Sequence, residues 1–390
     1  MAAVATAGGA LALVLAGCAS SASSGGSAST STSTSTSVGA DATSSAGANA
    51  GLAHAQAQIA KYSGVVDSYL PTEKLSDPAK LVGKKVMYIP AVATVPFFQV
   101  SWSGIKSAFA AVGVNASICD AQANPATMAA CLNQAVNEGY SGVIIDSITP
   151  DTAQQAYDKV VSAGIPIVLG TLSLPAGSPS NLVAVGPEVN LPVQLEADAI
   201  IAKSGGNANI VGVEITDSTS TTSRYQGGVK ELSTYCAACK LTTVQIKSPQ
   251  MQQLPSQVSA ALLANPGVSY LMPEFSNIAD TSAQGATDAG KGTLPLSTAA
   301  TALSDLQELA AGKSLFSTVG WDVVRTAWNE ADVLDRLMLH QKVDATKYLS
   351  PVRVFNSSNV KSLDISQAGW GDSNWFGGDG YQATYRALWK

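Results

Sequence analysis

The chain has 390 residues, 46% hydrophobic and 13% charged, with 22 Lys and Arg against 28 Asp and Glu and a formal net charge of -6. That length is enough for two buried cores, at roughly 150 residues per domain. No basic stripe and no run of like charge is present, which excludes nucleic acid as a partner and an acidic interaction tail.

At the N-terminus, residues 10–16 form a short apolar run, too short to span a membrane, followed by Gly17 and Cys18. Leu15-Ala16-Gly17-Cys18 resembles a bacterial lipobox. Residues 1–18 therefore read as a lipoprotein signal whose Cys18 carries the lipid that holds the chain at the outer face of the cell membrane. Residues 19–51 are almost entirely Ser, Thr, Gly and Ala, a composition unable to bury enough apolar surface to offset its ordering entropy. They are expected to form a flexible tether. Residues 52–83 are an N-terminal extension ahead of the first periodic segment.

From residue 84 onward, β-branched runs alternate with amphipathic stretches. The first series is a strand at 85–91, a helix at 97–112, a strand at 143–146, a helix at 151–163 and a strand at 165–170. A second series has strands at 210–215, 241–246, 268–272 and 293–297, with helices around 224–234 and 252–263. A strand at 315–319, a long helix at 323–340 and a strand at 352–355 follow. Alternation of this kind is the signature of parallel sheets covered by helices, so the fold class is α/β, two doubly wound lobes joined by a hinge. In such sheets ligands bind beyond the carboxyl ends of the strands, here the loops at 92–98, 146–150, 170–174, 216–223, 273–277, 298–301 and 320–322.

Setting Cys18 aside, Cys119, Cys131, Cys236 and Cys239 fall into two local pairs that suit structural disulfides in an oxidising compartment. A redox or metal role for Cys236-Ala-Ala-Cys239 is the alternative. A metal site would need more Cys or His partners, and the only histidines are His54 and His340.

Several segments together resemble the type 1 periplasmic binding proteins, in particular the ribose-binding-like branch that serves ABC importers. They are Lys85-Val-Met-Tyr-Ile-Pro90, Val95-Pro-Phe-Phe-Gln99 with Gly104, Cys119-Asp-Ala-Gln-Ala-Asn-Pro-Ala126, Gly142-Val-Ile-Ile-Asp146 and Ala163-Gly-Ile-Pro-Ile-Val168. The resemblance covers about residues 84–355. It implies two discontinuous lobes, 84–186 with 322–347 and 187–321 with 348–365, leaving 366–390 as a C-terminal extension. It also implies a monomer without cofactor that hands a small molecule to an ABC transporter permease.

The resemblance directs attention to particular residues. Phe97 and Phe98, after Pro96, match the aromatic pair that stacks on a sugar ring, though either may be read as core packing. Gln99 follows them. Asp146 ends a strand where a hydroxyl-binding residue often stands, and helix capping is the competing reading. Glu274 and Asn277 follow a strand end with the same two readings, and Thr298 sits at another such end. Where sugar binders carry Asn, Asp-Arg and a pocket Arg, this chain has Val95, Gly170-Thr171 and Thr222. Arg224 matches the family's other, more structural Arg. An expected amide is replaced by Trp321, next to Asp322. A pocket with fewer polar groups and one more aromatic favours a neutral, less hydroxylated ligand than a pentose, because a buried unpaired hydroxyl costs about 1–3 kcal/mol.

No nucleophile elbow, phosphate loop, metal cluster or dinucleotide fingerprint is present, so the chain does not read as an enzyme. The expectation is a solute-binding lipoprotein of an ABC importer. A sensory lipoprotein presenting the same ligand to a membrane receptor is the alternative.

Overall fold

A computed structural model describes residues 40–65, 70–174 and 177–390. Cys18 and residues 19–39 lie outside the described residues. The chain divides into two compact units, 1–42 and 43–390, and everything below concerns the second.

The second unit opens within α1 (Ala40–Tyr62). Residues 40–51, expected from composition to belong to a flexible tether, are therefore helical. Alanine is the strongest helix former, and tertiary contact fixes what propensity favours: Ala55 is fully buried and Ile59 and Tyr62 pack on a hydrophobic cluster.

Next come β1 (Lys85–Pro90), α2 (Pro96–Ala111), β2 (Asn115–Ile118), α3 (Pro125–Asn137), β3 (Gly142–Asp146), α4 (Gln154–Ser162), β4 (Ile167–Gly170) and β5 (Leu182–Val185). These five strands form one parallel sheet in the order β2-β1-β3-β4-β5. Then follow α5 (Leu191–Ser204), β6 (Asn209–Ile215), α6 (Thr219–Tyr235), β7 (Lys240–Ile246), α7 (Leu254–Ala264), β8 (Tyr270–Pro273), α8 (Ser276–Asp288), β9 (Leu296–Ala299), α9 (Leu303–Ala310) and β10 (Leu315–Trp321). The last elements are α10 (Val323–Met338), β11 (Val352–Asn356), α11 (Gln367–Gly371) and α12 (Tyr381–Leu388). The second sheet runs β11-β10-β9-β8-β6-β7, parallel except for the antiparallel β10–β11 pair. The two-lobed doubly wound α/β class is thus observed. Strands β2 and β5, four residues each, carry too short a pattern to stand out in the sequence.

Both faces of the first sheet are buried, which is why its strands read as continuous apolar runs. Met87, Ile89, Val143, Ile145, Ile167 and Leu169 face Met128, Leu132, Tyr157 and Val160 of α3 and α4. On the other face Val86, Tyr88, Ile144 and Val168 share a cluster with Ile105 and Phe109 of α2 and with Val324, Ala327, Trp328 and Leu334 of α10. Helices α2 and α10 approach closely because residue 104 is Gly: a Cβ there would lie 2.8 Å from the Ala327 Cβ.

The chain passes between the lobes three times, at 186–190, 321–322 and 348–351, and these passages are hydrogen-bonded to one another. Ser350 N–H donates to the Gly186 carbonyl (3.1 Å) and Asp322 N–H to the Pro351 carbonyl (3.1 Å). The hydroxyls of Thr326 and Ser350 lie 2.6 Å apart. The C-terminal segment packs along these passages. Trp375 and Phe376 lie edge-on to Phe355 of β11, while Trp389 stacks on Trp328 of α10 at 5.2 Å.

Disulfides join Cys119 to Cys131 and Cys236 to Cys239, separated by 12 and 3 residues. Closing the longer loop restricts the unfolded chain more. Paired Cys→Ser replacement at 119 and 131 is expected to lower stability by about 2–3 kcal/mol, and at 236 and 239 by clearly less, in denaturant unfolding. Equal losses for the two pairs would contradict this.

Candidate functional site

In the strand order β2-β1-β3-β4-β5, the connection after β1 runs to β2 on one side and the connection after β3 runs to β4 on the other. The order β7-β6-β8-β9-β10 repeats this arrangement at β6 and β8. A crevice opens at the carboxyl ends where connections diverge. A cavity of about 330 Å³ lies there, between the lobes, large enough for a small-molecule ligand.

The first lobe contributes Ala91, Val92 and Val95 to Phe98 from the loop after β1 and the start of α2, together with Ser147, Ile148 and Thr152 after β3. The second lobe contributes Ile215, Asp217, Ser218, Thr221 and Arg224 around the start of α6, and Phe275 to Asn277 with Asp280 after β8. Ala300 and Trp321 follow or end β9 and β10. Pro96 starts α2 at a position where a missing N–H costs nothing. Helix α6 is capped by Ser218, whose hydroxyl accepts the Thr221 N–H at 3.2 Å.

Aromatic rings define the walls. Phe97 lies edge-on to Phe98 (5.1 Å) and to Trp321 (5.6 Å). The Arg224 guanidinium sits over Phe275 (5.4 Å) and Trp321 (5.6 Å) and donates from Nη2 to the Thr171 carbonyl of the other lobe at 3.0 Å. Two buried donors on this wall, Arg224 Nε and Trp321 Nε1, have no hydrogen-bond partner among the described residues.

Behind the wall lies a buried charge cluster. Asp146, 1% exposed, accepts from Tyr88 (2.9 Å) and from the hydroxyls of Thr171 (2.9 Å) and Ser147 (3.0 Å). Glu274 accepts the Ile215 N–H at 3.1 Å. Burial leaves both carboxyls above the usual carboxylate range, Glu274 well above it, although the hydroxyl donors lower Asp146 and the Arg224 cation lowers both. Burial lowers Arg224 in turn, and Glu274 and Asp146 hold its charge in place. Ser147 and Thr171 adopt left-handed φ of 62° and 57°, a conformation uncommon for non-glycine residues, at the ends of β3 and β4.

Of the residues singled out from sequence, Phe97, Phe98, Arg224, Asn277 and Trp321 line the cavity together. The rest are placed elsewhere. Asp146, Thr171 and Glu274 form the buried layer beneath the wall. Thr298 donates to the Pro273 carbonyl at 2.8 Å within the second sheet. Asp322 caps α10, accepting the Arg325 N–H at 3.0 Å and the Ser373 hydroxyl at 2.8 Å. Gln99 is exposed and bonds the Thr94 carbonyl. Thr222 misses the cavity because Thr221 and Arg224, three apart on α6, occupy the face that meets it. Asp217, Phe275 and Asp280 were not anticipated. The first two lie in loops already marked as strand ends, but nothing in one sequence distinguishes a wall residue from its neighbours.

The two lobes, the triple passage and a cavity at the switch points of both sheets define a two-lobed α/β binding protein. The chain belongs to the periplasmic binding protein domain family, whose profile matches residues 86–342. No curated protein matches it. Among solved structures it is similar to the 5-methylthioribose transporter solute-binding protein of Thermotoga lettingae, in complex with 5-methylthioribose (15% identity, 82% of this chain and 99% of that one, TM-score 0.68). It is also similar to an ABC transporter solute-binding protein of Agrobacterium vitis bound to α-D-tagatopyranose (19% identity, 72% and 97% covered, TM-score 0.65). A third is the carbohydrate transporter of Acidothermus cellulolyticus in complex with myo-inositol (15% identity, 74% and 99% covered, TM-score 0.64).

Two predictions follow from the buried charges. Arg224→Met strips Asp146 and Glu274 of their counter-charge and should destabilise the fold by about 3–5 kcal/mol. Adding Asp146→Asn and Glu274→Gln should recover much of that loss; additive losses in the triple variant would show that the three groups do not interact. Burial also raises Asp322 and Asp305 from 3.8 to about 6 and about 7. Folded values above unfolded ones mean stability complete below about pH 4 and lost as pH rises through about 6 to 7. The thermal midpoint should therefore be higher at about pH 5 than at about pH 8, and the reverse order would show that these carboxyls fold ionised.

Proposed function

We propose that this chain is the solute-binding lipoprotein of an ABC importer, which captures a small neutral molecule between its lobes and presents the closed form to a membrane permease. The observation that carries the reading is the interlobe cavity, where apolar rings from both lobes surround two buried donors that lack acceptors among the described residues. Such donors suit the oxygen acceptors of a ligand, and the rings suit the C–H face of a ring-shaped one. The ligands of the structurally similar proteins, 5-methylthioribose, tagatopyranose and myo-inositol, support a sugar or sugar-like compound.

Charge supports a neutral ligand. Arg224 is the one cation among the described residues of the wall; Glu274 and Asp146 act on its charge from behind, and Asp217 and Asp280 share the wall with it. An anion would have to sit beside those two aspartates. Opening the lobes must break the Arg224–Thr171 bond and part Phe97 from Trp321, so ligand contacts that span the cleft favour the closed form. Attachment through Cys18 and export complete the proposal; both rest on the lipobox and the Ser/Thr-rich segment after it.

Calorimetric titration of ligand-free protein with neutral sugars, methylthio-sugars and cyclic polyols should find a saturable ligand. Trp321→Ala and Phe97→Ala should each weaken it by at least about tenfold, the loss of roughly 1.4 kcal/mol of ring contact. Binding of a sugar phosphate in preference to every neutral compound, or a flat response to the whole panel, would refute the neutral-solute reading.

A further inference from the structure

A side-chain cluster far from the cavity chemistry joins α1 to the second lobe. It consists of His54 on α1, Asp198 on α5 and Glu231 on α6, each offering one ligand atom, with all three atoms within 4.8 Å of one another. We propose that His54, Asp198 and Glu231 form a divalent metal site, of the kind that takes zinc, which fastens the N-terminal helix to the second lobe.

The separations fit. His54 Nε2 lies 2.9 Å from Glu231 Oε1 and 4.0 Å from Asp198 Oδ1. With metal–nitrogen and metal–oxygen bonds of about 2.0–2.2 Å, tetrahedral ligand atoms stand about 3.3–3.6 Å apart, between these two values. The third separation, between Asp198 and Glu231, is within 4.8 Å, so seating the ion takes side-chain shifts of about 1 Å.

A hydrogen-bonded His54–Glu231 pair accounts for only part of the geometry. Asp198 is 1% exposed, and its Oδ1, the atom facing His54, has no hydrogen-bond partner among the described residues. Carboxylates are buried when they are paired or bind metal, and the pair leaves this one unsatisfied. A cation at the centre of the three atoms satisfies all of them. Two carboxylates and a neutral imidazole match the charge of a divalent ion, and the nitrogen donor favours zinc over magnesium or calcium.

The site is assembled by docking and held rigid. The His54 ring stacks on Tyr235 with centroids 3.6 Å apart and planes 5° from parallel. Residue 51 is Gly, which lets α1 press against α6: a Cβ there would lie 2.0 Å from the Tyr235 carbonyl oxygen. The His54 side chain is 26% exposed, so the ion has a path from solvent and room for water as a fourth ligand. Metal bound at Nε2 places the ring proton on Nδ1. The metal would govern how firmly α1 holds to the second lobe.

The test uses the full chain with both disulfides intact, stripped with chelator and titrated with cobalt(II). One equivalent should produce the visible absorption of a tetrahedral cobalt site, which one equivalent of zinc should then abolish. Zinc should also raise the thermal midpoint. Loss of a ligand costs at least the 10–100-fold that loss of an outer-shell partner does, so Asp198→Asn, which preserves shape, should weaken zinc by at least about tenfold. His54→Ala should do the same, and His340→Ala should change nothing. Absence of saturable cobalt uptake, or uptake equal in the Asp198→Asn and wild-type proteins, would overturn the site and leave an ordinary histidine–carboxylate pair.

Discussion

The position of Arg224 governs much else in this protein. Its guanidinium is nearly out of solvent, capped by Phe275 and Trp321, and bonded across the cleft to the Thr171 carbonyl. Burying a cation is tolerable only where opposite charge is buried with it, and Asp146 from one lobe and Glu274 from the other supply that charge. Arg224 therefore shapes the wall of the cavity and ties the lobes together, with Asp146 and Glu274 behind it. They also account for much of the polar wiring around them. Tyr88, Ser147 and Thr171 all donate to Asp146, since a carboxyl buried in that position needs its oxygens satisfied within the protein.

That arrangement depends on topology. Each sheet places a switch point at its first strand, so the loops after β1 and β3 in one lobe and after β6 and β8 in the other meet across the same space. Apolar strands buried on both faces keep those loop roots fixed, and polar function is confined to the strand ends. The left-handed backbone at Ser147, Thr171 and Ala300 falls at such ends, where the chain leaves a strand and turns along the cavity rim.

The passages between lobes are the other constraint. Three short segments, mutually hydrogen-bonded, must bend if the lobes move, and the C-terminal residues add a second layer along them. Ser373 bonds Asp322 at one passage, Arg353 bonds the Trp375 carbonyl at 2.6 Å, and the rings of α12 pack on Trp328. This apolar and polar strip ties the C-terminal residues to elements of both lobes, so any hinge motion is shared with the chain terminus.

How much was legible beforehand divides along physical lines. Alternating apolar runs and amphipathic stretches determine the α/β class by themselves, because periodicity is a local property that one chain displays. Carboxyl-end loops of parallel strands were equally readable as the place to seek the site, and the aromatic pair after Pro96 lies where that rule puts it. The helix over residues 40–51 was not legible, since Ala-rich sequence becomes a fixed helix only through the lobe against which Ala55 and Ile59 pack. Nor was the division of Asp146, Thr171, Glu274 and Asp322 into supporting roles, with Phe275 and Asp217 on the wall. Which side of a loop meets the cavity depends on residues 50 to 150 positions away, and only the folded chain brings Asp146, Arg224 and Glu274 to one place.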